Sequence, residues 1–370
     1  MTFERRDFLK GGLALSVAAV MSPRIGSAAD ASYVFKPEPG AWRKFEVTTQ
    51  IDILTPQGMA QAWIPLPSVT ASDWIRPMGD EWKVSNGKAT ALRAGRYDTR
   101  MLHVEWSQDD GAPSVQIISR VATRDRSVDL AKPGQPTPLS AAERTLFLSP
   151  TKLIPTDGIV KQTADKIVAG AKTDEEKARR LYEWVVVNTF RDPKTLGCGL
   201  GDISFMLRTG NLGGKCADLN ALYVGMARAS GIPARDLYGI RVAPSKFGYK
   251  SLGANAAVIT KAQHCRAEVY LSNWGWVPVD PADVRKVVLE EPPGNLPLND
   301  PKVEAAHKTL FGAWETNWIA YNQGHDVPLP GSDQPPIGFL MYPQAKTAGE
   351  MRDCLDADTF KYVITSKEMT

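Results

Sequence analysis

The sequence is poor in cysteine and histidine, and neither residue occurs in a metal-binding pattern. Each occurs 4 times in 370 residues. The cysteines form no Cys-x-x-Cys pair or other zinc spacing. There is also no Asp-x-Asp-x-Asp-Gly run, the sequence signature of a calcium loop. We therefore predict no metal and no cofactor. Disulfide pairing among Cys198, Cys265 and Cys354 stays open at this stage.

The sequence also lacks a strong excess of either charge. Its formal net charge is +3, and residues 1–29 carry +2 of it, which leaves about +1 on the remainder. Proteins that bind nucleic acid or an anionic membrane surface normally carry a marked basic excess. We therefore predict that neither is a partner of this chain.

Long hydrophobic runs are absent after residue 29, since no later run approaches the roughly 18 residues of a membrane span. Residues 1–29 have the pattern of an export signal. Arg5-Arg6-Asp7-Phe8-Leu9-Lys10 matches the twin-arginine motif, a short apolar stretch follows, and Ser27-Ala28-Ala29 offers a cleavage site. The alternative is a surface helix with a chance Arg-Arg pair. We predict a Tat signal peptide at 1–29, the Tat export machinery as a transient partner, and a periplasmic mature protein without a membrane anchor.

The pattern of residues 30–131 is typical of strands. Phe45, Val47, Ile51 and Ile53 alternate with polar residues, and similar alternation recurs at 60–67, 101–107 and 115–123. Gly, Asp and Pro turn signals separate these runs, with no convincing helix between them. We predict an N-terminal β-sandwich domain at 30–131 and, from its prolines, a linker at 132–140.

Residues 141–299 follow a different pattern, which predicts an α+β core. Thr173-Asp174-Glu175-Glu176 is a capping box that opens a helix to about Asn188. Helical spacing predicts a second helix from Cys216 to Gly231-Ile232-Pro233, and strands should follow at 235–242, 264–271 and 276–280. The aromatic-rich segment 300–370 is predicted to be a C-terminal extension that packs on the core.

Three residues in this segment have the chemistry of a catalytic triad. Cys216 follows Gly213-Gly214-Lys215 at a helix N-terminus, where backbone N–H groups favour a thiolate. His264 begins a strand, and a hairpin through Ser272-Asn273 would place Asp280 beside it. Each residue has an ordinary structural alternative: a buried cysteine, a hydrogen-bonded histidine and an Asp-Pro turn. Their order and spacing together favour the triad.

The blocks around these residues resemble the transglutaminase-like superfamily. Gly214 to Asp218 and Ala227 to Arg235 are similar to its nucleophile helix, and His264 to Tyr270 and Trp274 to Pro281 to its His and Asp blocks. The resemblance covers roughly residues 155–285 and implies a papain-like transglutaminase core with a Cys-His-Asp triad. A preceding β-rich domain is similar to that of bacterial members. Cys265 departs from the aromatic residue that members often have after the histidine.

The resemblance implies a periplasmic cysteine enzyme, a peptidase or amidase acting by thioester acyl transfer on amide bonds. Its substrate would be a protein, a peptide or cell-wall peptide. One alternative is a true protein-glutamine gamma-glutamyltransferase that joins Gln to amines, and another is a non-catalytic binding module with the same fold. The arylamine acetyltransferases, which also use Cys-His-Asp, fit the long β domain and the Gly-Ile-Pro-Ala-Arg run poorly.

Several further residues are candidates for the site. The backbone N–H of Cys216 is one expected oxyanion donor, and Asn211 or Asn188 are candidates for a side-chain donor. Asp218 lies in the first turn of the predicted helix, where a carboxylate satisfies free N–H groups. Strand alternation places Glu268 on the same face as His264, so we predict supporting roles for Asp218 and Glu268.

Overall fold

The computed structural model describes residues 33–370 except 55, 57, 109 and 110. Residues 33–370 form one compact unit. The predicted signal peptide at 1–29 lies outside the described residues. Across the described part of the chain, no helix is both long and apolar enough to cross a membrane.

The structure is built from strands in its N-terminal part and from helices and strands thereafter. The strands are β1 (Arg43–Asp52), β2 (Ala60–Pro65), β3 (Ile75–Val84), β4 (Lys88–Ala94), β5 (Thr99–Trp106), β6 (Ser114–Thr123), β7 (Arg126–Ser127), β8 (Phe190–Arg191), β9 (Gly213–Gly214), β10 (Ala234–Arg241), β11 (Gln263–Leu271), β12 (Gly275–Val279), β13 (Ala313–Trp314), β14 (Trp318–Asn322), β15 (Gln344–Thr347), β16 (Glu350–Met351) and β17 (Tyr362–Met369). The helices are α1 (Ala141–Leu148), α2 (Gly158–Val168), α3 (Asp174–Asn188), α4 (Ile203–Thr209), α5 (Cys216–Ala229), α6 (Pro281–Glu290), α7 (Pro301–Thr309) and α8 (Ala357–Phe360).

Two antiparallel sheets make up most of the N-terminal part. One has the strand order β17-β1-β6-β3, and the other has the order β16-β15-β2-β5-β4. The alternation in β1 is that expected of a strand with one face in the core, because Phe45, Val47 and Ile51 are buried. Apolar side chains from both sheets belong to one hydrophobic cluster. The strands predicted from alternation are therefore confirmed.

The strands β3 and β4 were not predicted. Most of their residues are exposed or half-buried, so neither strand shows a clear apolar face in the sequence. Pro77 and Gly79 also interrupt β3, where the register with β6 shifts. Both strands are held by their neighbours, since β3 pairs with β6 and β4 pairs with β5.

The C-terminal segment contributes strands to all three large sheets. β14 pairs with β10, β15 pairs with β2, and β17 runs antiparallel to β1 over eight residue pairs. No strand is predicted in this segment from the sequence. The strands with which it pairs lie far away along the chain, up to 325 positions in the Arg43–Glu368 contact, so no local pattern indicates the pairing. The boundaries at residues 131, 140 and 299 stay a prediction.

The helical part surrounds α5, and its fold is α+β as predicted. The side chain of Thr173 caps α3 by accepting from the Glu176 N–H, as predicted, and α3 ends at Asn188. The reciprocal bond of the predicted capping box does not form, because the Glu176 carboxylate accepts from the N–H of Lys172 instead. All residues of α5 are buried, including the polar Asp218 and Asn220. A helix that is buried on every side lies at the centre of its domain rather than on its surface.

A four-stranded antiparallel sheet, in the order β12-β11-β10-β14, packs against α5. β11 and β12 form the predicted hairpin, in which Leu271 pairs with Gly275. The N-terminal end of β11 and the C-terminal end of β12 therefore lie side by side. This hairpin brings His264 and Asp280 to one edge of the sheet, near the N-terminus of α5.

Candidate active site

Cys216 is the first residue of α5, where a helix has N–H groups without partners inside the helix. The glycines before it are required by close packing. A Cβ on Gly214 would lie 2.5 Å from the Cβ of Asp218, and one on Gly199 would lie 1.8 Å from Asp218 Oδ2. The chain can therefore approach the start of α5 only where side chains are absent.

Asp218 fixes the two loops that meet at this helix end. Its carboxylate accepts N–H groups from Leu200 at 3.0 Å, Gly201 at 2.9 Å and Lys215 at 2.9 Å. These bonds tie the loop that carries Cys198 to the turn that carries Cys216. Asp218 thus acts on the position of the thiol through the backbone.

His264 and Asp280 form the hydrogen bond that the hairpin predicts. His264 Nε2 lies 2.8 Å from Asp280 Oδ2, and both residues are buried. Trp318 Nε1 donates to the backbone oxygen of His264 at 2.9 Å, which fixes the N-terminal end of β11. Because Nε2 is engaged by the carboxylate, Nδ1 is the ring nitrogen left for the thiol of Cys216.

Asp280 is held by several groups besides the histidine. Asn220 Nδ2 donates to Oδ1 at 3.2 Å, and the backbone N–H of Asp283 donates to the same oxygen at 3.0 Å. The guanidinium of Arg266 lies 3.5 Å from Oδ2. A carboxylate with this many partners has one orientation, so it also fixes the ring of His264.

A second buried ion pair lies behind the histidine. Asp283 Oδ1 is 2.5 Å from a guanidinium nitrogen of Arg241 and 3.4 Å from His264 Nε2. Arg241 also donates to the backbone oxygen of Leu252 at 2.5 Å. The histidine therefore faces two carboxylates at the start of α6 and one guanidinium from β10.

These charges favour a thiolate and an imidazolium. Burial and the Arg241 charge lower the pKa of His264, but the two carboxylates beside it outweigh them and raise the pKa to about 9. Burial opposes ionisation of the Cys216 thiol, yet hydrogen bonds from two neighbouring thiols and from His264 hold its pKa well below the usual thiol range. At neutral pH the arrangement therefore provides a nucleophile and an acid side by side.

The two groups open onto a cleft of about 590 Å³. None of the described residues that line the cleft is acidic. Five of them are cationic, namely Arg191, Lys215, Arg241, Lys261 and Lys286. Burial, with Arg241 and Arg191, lowers the pKa of Lys286 to about 8. The cleft is thus basic although the chain as a whole is nearly neutral.

The structure places the other predicted site residues elsewhere. The exposed Asn188 donates to the backbone oxygen of Trp184, and the exposed Asn211 accepts from the N–H of Gly213. Neither is among the described residues that line the cleft of Cys216. Glu268 is buried on β11, but its carboxylate pairs with Arg126 and Arg235 rather than with the histidine.

Sequence reasoning missed Asn220, Asp283 and Arg241 as parts of the site. Two of them had a local signal. Asn220 lies four residues after Cys216, on the same face of α5, and Asp283 is the third residue of the helix that Asp280 caps. Arg241 had no such signal, because its contact with Asp283 joins residues 42 positions apart.

Comparison with known proteins gave a family and several similar folds. A profile of the transglutaminase-like superfamily matches residues 161–281, which include Cys216, His264 and Asp280. The chain is 35% identical over 343 residues to an uncharacterized protein of Haemophilus influenzae, covering 88% of this chain and 91% of that protein. Similar crystal structures include a Cytophaga hutchinsonii protein provisionally described as a cysteine protease (14% identity, TM-score 0.49, 90% of this chain and 100% of that one). Another is the periplasmic domain of TgpA from Pseudomonas aeruginosa (17% identity, TM-score 0.37, 68% of this chain and 75% of that one).

Proposed function

The chain belongs to the transglutaminase-like superfamily, and we propose that it is a cysteine enzyme which cleaves amide bonds by acyl transfer through Cys216, His264 and Asp280. The observation that carries the proposal is the 2.8 Å bond between His264 and Asp280 beside a thiol at a helix N-terminus. A nucleophile, a base and an orienting acid in contact are the requirement for this chemistry.

The first half of the reaction forms a thioester. Cys216 Sγ attacks the carbonyl carbon of the amide, and the carbonyl oxygen takes the negative charge. When the tetrahedral intermediate collapses, the C–N bond breaks and His264 gives its proton to the departing amine. Asp280 holds the ring in place and stabilises its charged form. In the second half, His264 takes a proton from water or an amine, which attacks the thioester and frees Cys216.

A side-chain donor for the oxyanion is present on the wall of the cleft. Gln263 lines the cleft, and its Nε2 is buried without a hydrogen-bond partner among the described residues. An unpaired buried donor is costly unless something accepts from it. We assign it, with the backbone N–H of Cys216, to the oxygen that becomes charged during attack.

The charge of the cleft indicates the class of substrate. Three of its five cations, Arg191, Arg241 and Lys286, pair with carboxylates of the protein. Lys215 and Lys261 form no ion pair with any described residue. A basic cleft concentrates anionic ligands. We therefore propose a peptide substrate, free or from the cell wall, that carries a carboxylate near the amide to be cleaved.

Reversing one of these charges should select against anionic substrates. We expect Lys261→Glu to raise KM for a peptide amide with a free carboxylate by about 5-fold, relative to the same peptide with that carboxylate amidated, because the new charge repels the substrate. Initial rates on the two peptides measure the ratio. Lys166→Glu, on the exposed face of α2, is the matched control. Equal KM changes for both peptides would refute the proposed charge preference.

We propose that the enzyme works in the periplasm after twin-arginine export. The proposal rests on Arg5-Arg6 and the small residues Ser27, Ala28 and Ala29. Replacing Arg5-Arg6 by Lys-Lys should leave the precursor uncleaved in the cytoplasm, as cell fractionation would show. A variant cleaved and exported as well as wild type would exclude this route.

Alkylation at pH 6 tests the proposed triad. An ordinary thiol is only about 0.3% ionised there, whereas the neighbouring thiols and His264 hold the pKa of Cys216 well below the usual thiol range. We expect iodoacetamide to modify Cys216 at least about 10-fold faster than Cys354, and His264→Ala to remove most of this advantage. Peptide mass spectrometry after brief treatment measures both rates. Because His264 keeps its proton until about pH 9, turnover should fall above that pH while alkylation continues.

Cys354 serves as the internal control for this experiment. It is half-buried, and burial raises the pKa of its thiol. If Cys216 reacted no faster than Cys354, or were already disulfide-bonded, the triad would be inactive. The non-catalytic binding module would then be the better description of the chain.

A further inference from the structure

Three cysteines from three separate elements meet at the candidate active site. Their Sγ atoms all lie within 4.8 Å of one another. Cys198 comes from the loop before α4, Cys216 from the start of α5, and Cys265 from β11. All three are free and buried, with exposed fractions of 6%, 3% and 0%.

A fourth sulfur atom adjoins this cluster. Met341 Sδ lies 3.9 Å from Cys265 Sγ, and Met341 is fully buried. The backbone holds the cluster together, because the N–H of Ala217 donates to the backbone oxygen of Cys198 at 2.9 Å. Cys198 Sγ in turn lies 3.4 Å from the backbone oxygen of Gln263. The sulfur atoms are thus placed by neighbouring secondary structure.

Only one of these four sulfur atoms, that of Cys216, forms a bond during acyl transfer. We propose that Cys198, Cys216 and Cys265 form a binding site for a soft monovalent cation of the Cu(I) class, with the Met341 thioether as the nearest additional donor. Metal–thiolate bonds of about 2.3 Å place the sulfur atoms of a three-thiolate site about 4 Å apart. The observed upper limit of 4.8 Å accommodates that geometry with small side-chain shifts.

The donor set decides which cation the site would take. Thiolates and thioethers are soft ligands that select Cu(I), whereas Mg²⁺ and Ca²⁺ require oxygen ligands. A thioether beside the thiolates favours Cu(I) over Zn²⁺, which more often takes imidazole as its additional ligand. An ion can reach the cluster from solvent, because Cys198 and Cys216 line the cleft.

Binding of such an ion would occupy Cys216. The thiols lose their protons when they become ligands, and the sulfur of Cys216 is then no longer available to attack an amide. The site would therefore hold either the cation or an acyl group. The proposal goes beyond the proposed function and does not rest on it, since the sulfur geometry is the same whether or not the chain is an enzyme.

Cu(I) titration of the reduced mature chain tests the proposal. Under anaerobic conditions, Cu(I) is added in competition with a chromophoric Cu(I) chelator. We expect one Cu(I) per chain, with affinity reduced by about 100-fold or more in Cys198→Ser and in Cys265→Ser, since each loses one thiolate ligand. Cys354→Ser, outside the cluster, is the matched control and should bind as wild type does. Circular dichroism shows which variants are folded.

X-ray absorption of the wild-type complex needs no variant. A shell of three or four sulfur atoms at about 2.3 Å would support the site. A shell of nitrogen and oxygen atoms would overturn the proposed site. So would a loss of Cu(I) affinity in Cys354→Ser equal to that in Cys198→Ser and Cys265→Ser. Failure to retain Cu(I) while all four thiols titrate as free would also overturn it. If mild oxidation joined Cys198 to Cys216 and the reduced chain bound no Cu(I), the cluster would be a redox pair and the cation site would be wrong.

Discussion

Replacing Cys216 by alanine is expected to reduce turnover of amide substrates by about 10⁴-fold or more. The nucleophile, base and orienting acid of such a triad act as a unit, so removal of the nucleophile costs nearly the whole catalytic effect. The fold should persist, because the change removes one sulfur atom at the edge of a cleft. Casein provides a general substrate: new amino termini report hydrolysis, and incorporation of a fluorescent primary amine reports cross-linking.

The two readouts distinguish the alternatives within the family. Loss of new amino termini in Cys216→Ala would identify a peptidase, and loss of amine incorporation would identify a gamma-glutamyltransferase. Cys354→Ala is the matched control, since Cys354 lies outside the triad and should leave both rates unchanged. Activity that survived Cys216→Ala would contradict the assignment of the nucleophile, whatever the reaction.

Replacing Glu268 by glutamine should lower the free energy of unfolding by about 3–5 kcal/mol. Glu268 is fully buried between two guanidinium groups, those of Arg126 and Arg235. Glutamine keeps the shape but removes the carboxylate that both buried guanidinium groups share. Among the described residues this leaves Arg235 without an ion pair and Arg126 with only Asp73 at 3.5 Å, which is costly in a medium that solvates buried cations poorly. Arg126 comes from β7, whereas Glu268 and Arg235 lie on β11 and β10, so these ion pairs also link β7 to the sheet that carries His264. Urea unfolding followed by tryptophan fluorescence measures the change.

An exposed ion pair provides the control for this prediction. Glu81 pairs with Arg120 at 2.7 Å, but its side chain is 67% exposed. Glu81→Gln should therefore change the free energy of unfolding by no more than about 1 kcal/mol. If Glu268→Gln cost no more than Glu81→Gln, the buried carboxylate would be dispensable. Its contribution would then be limited to positioning β11.

The candidate triad could be predicted because its parts depend on local patterns. A capping box and helical spacing locate α3 and α5, and the short turn after Leu271 requires an antiparallel hairpin. Once that hairpin is assigned, the start of one strand and the end of the next must be neighbours. The contact between His264 and Asp280 follows from that geometry.

The side-chain oxyanion donor could not be found in this way. Asn188 and Asn211 are candidates for this donor in the sequence, but both side chains are engaged by the backbone beside them. Gln263 is a better candidate because of its place on the cleft wall. That place depends on how β11 packs against α5, which no local pattern encodes.

The sequence alone determined the class of fold, four of the N-terminal strands, the helices α3 and α5 with the strands that follow them, and the three residues of the candidate triad. These follow from hydrophobic periodicity, caps and turns, which act over a few residues. Only the tertiary structure decided that residues 344–369 complete the N-terminal sheets, that Asp283 and Arg241 flank the histidine, and that three cysteines share one site. Those contacts join residues that are far apart in the chain. Packing and charge in the folded state, rather than spacing in the sequence, decide which residues meet.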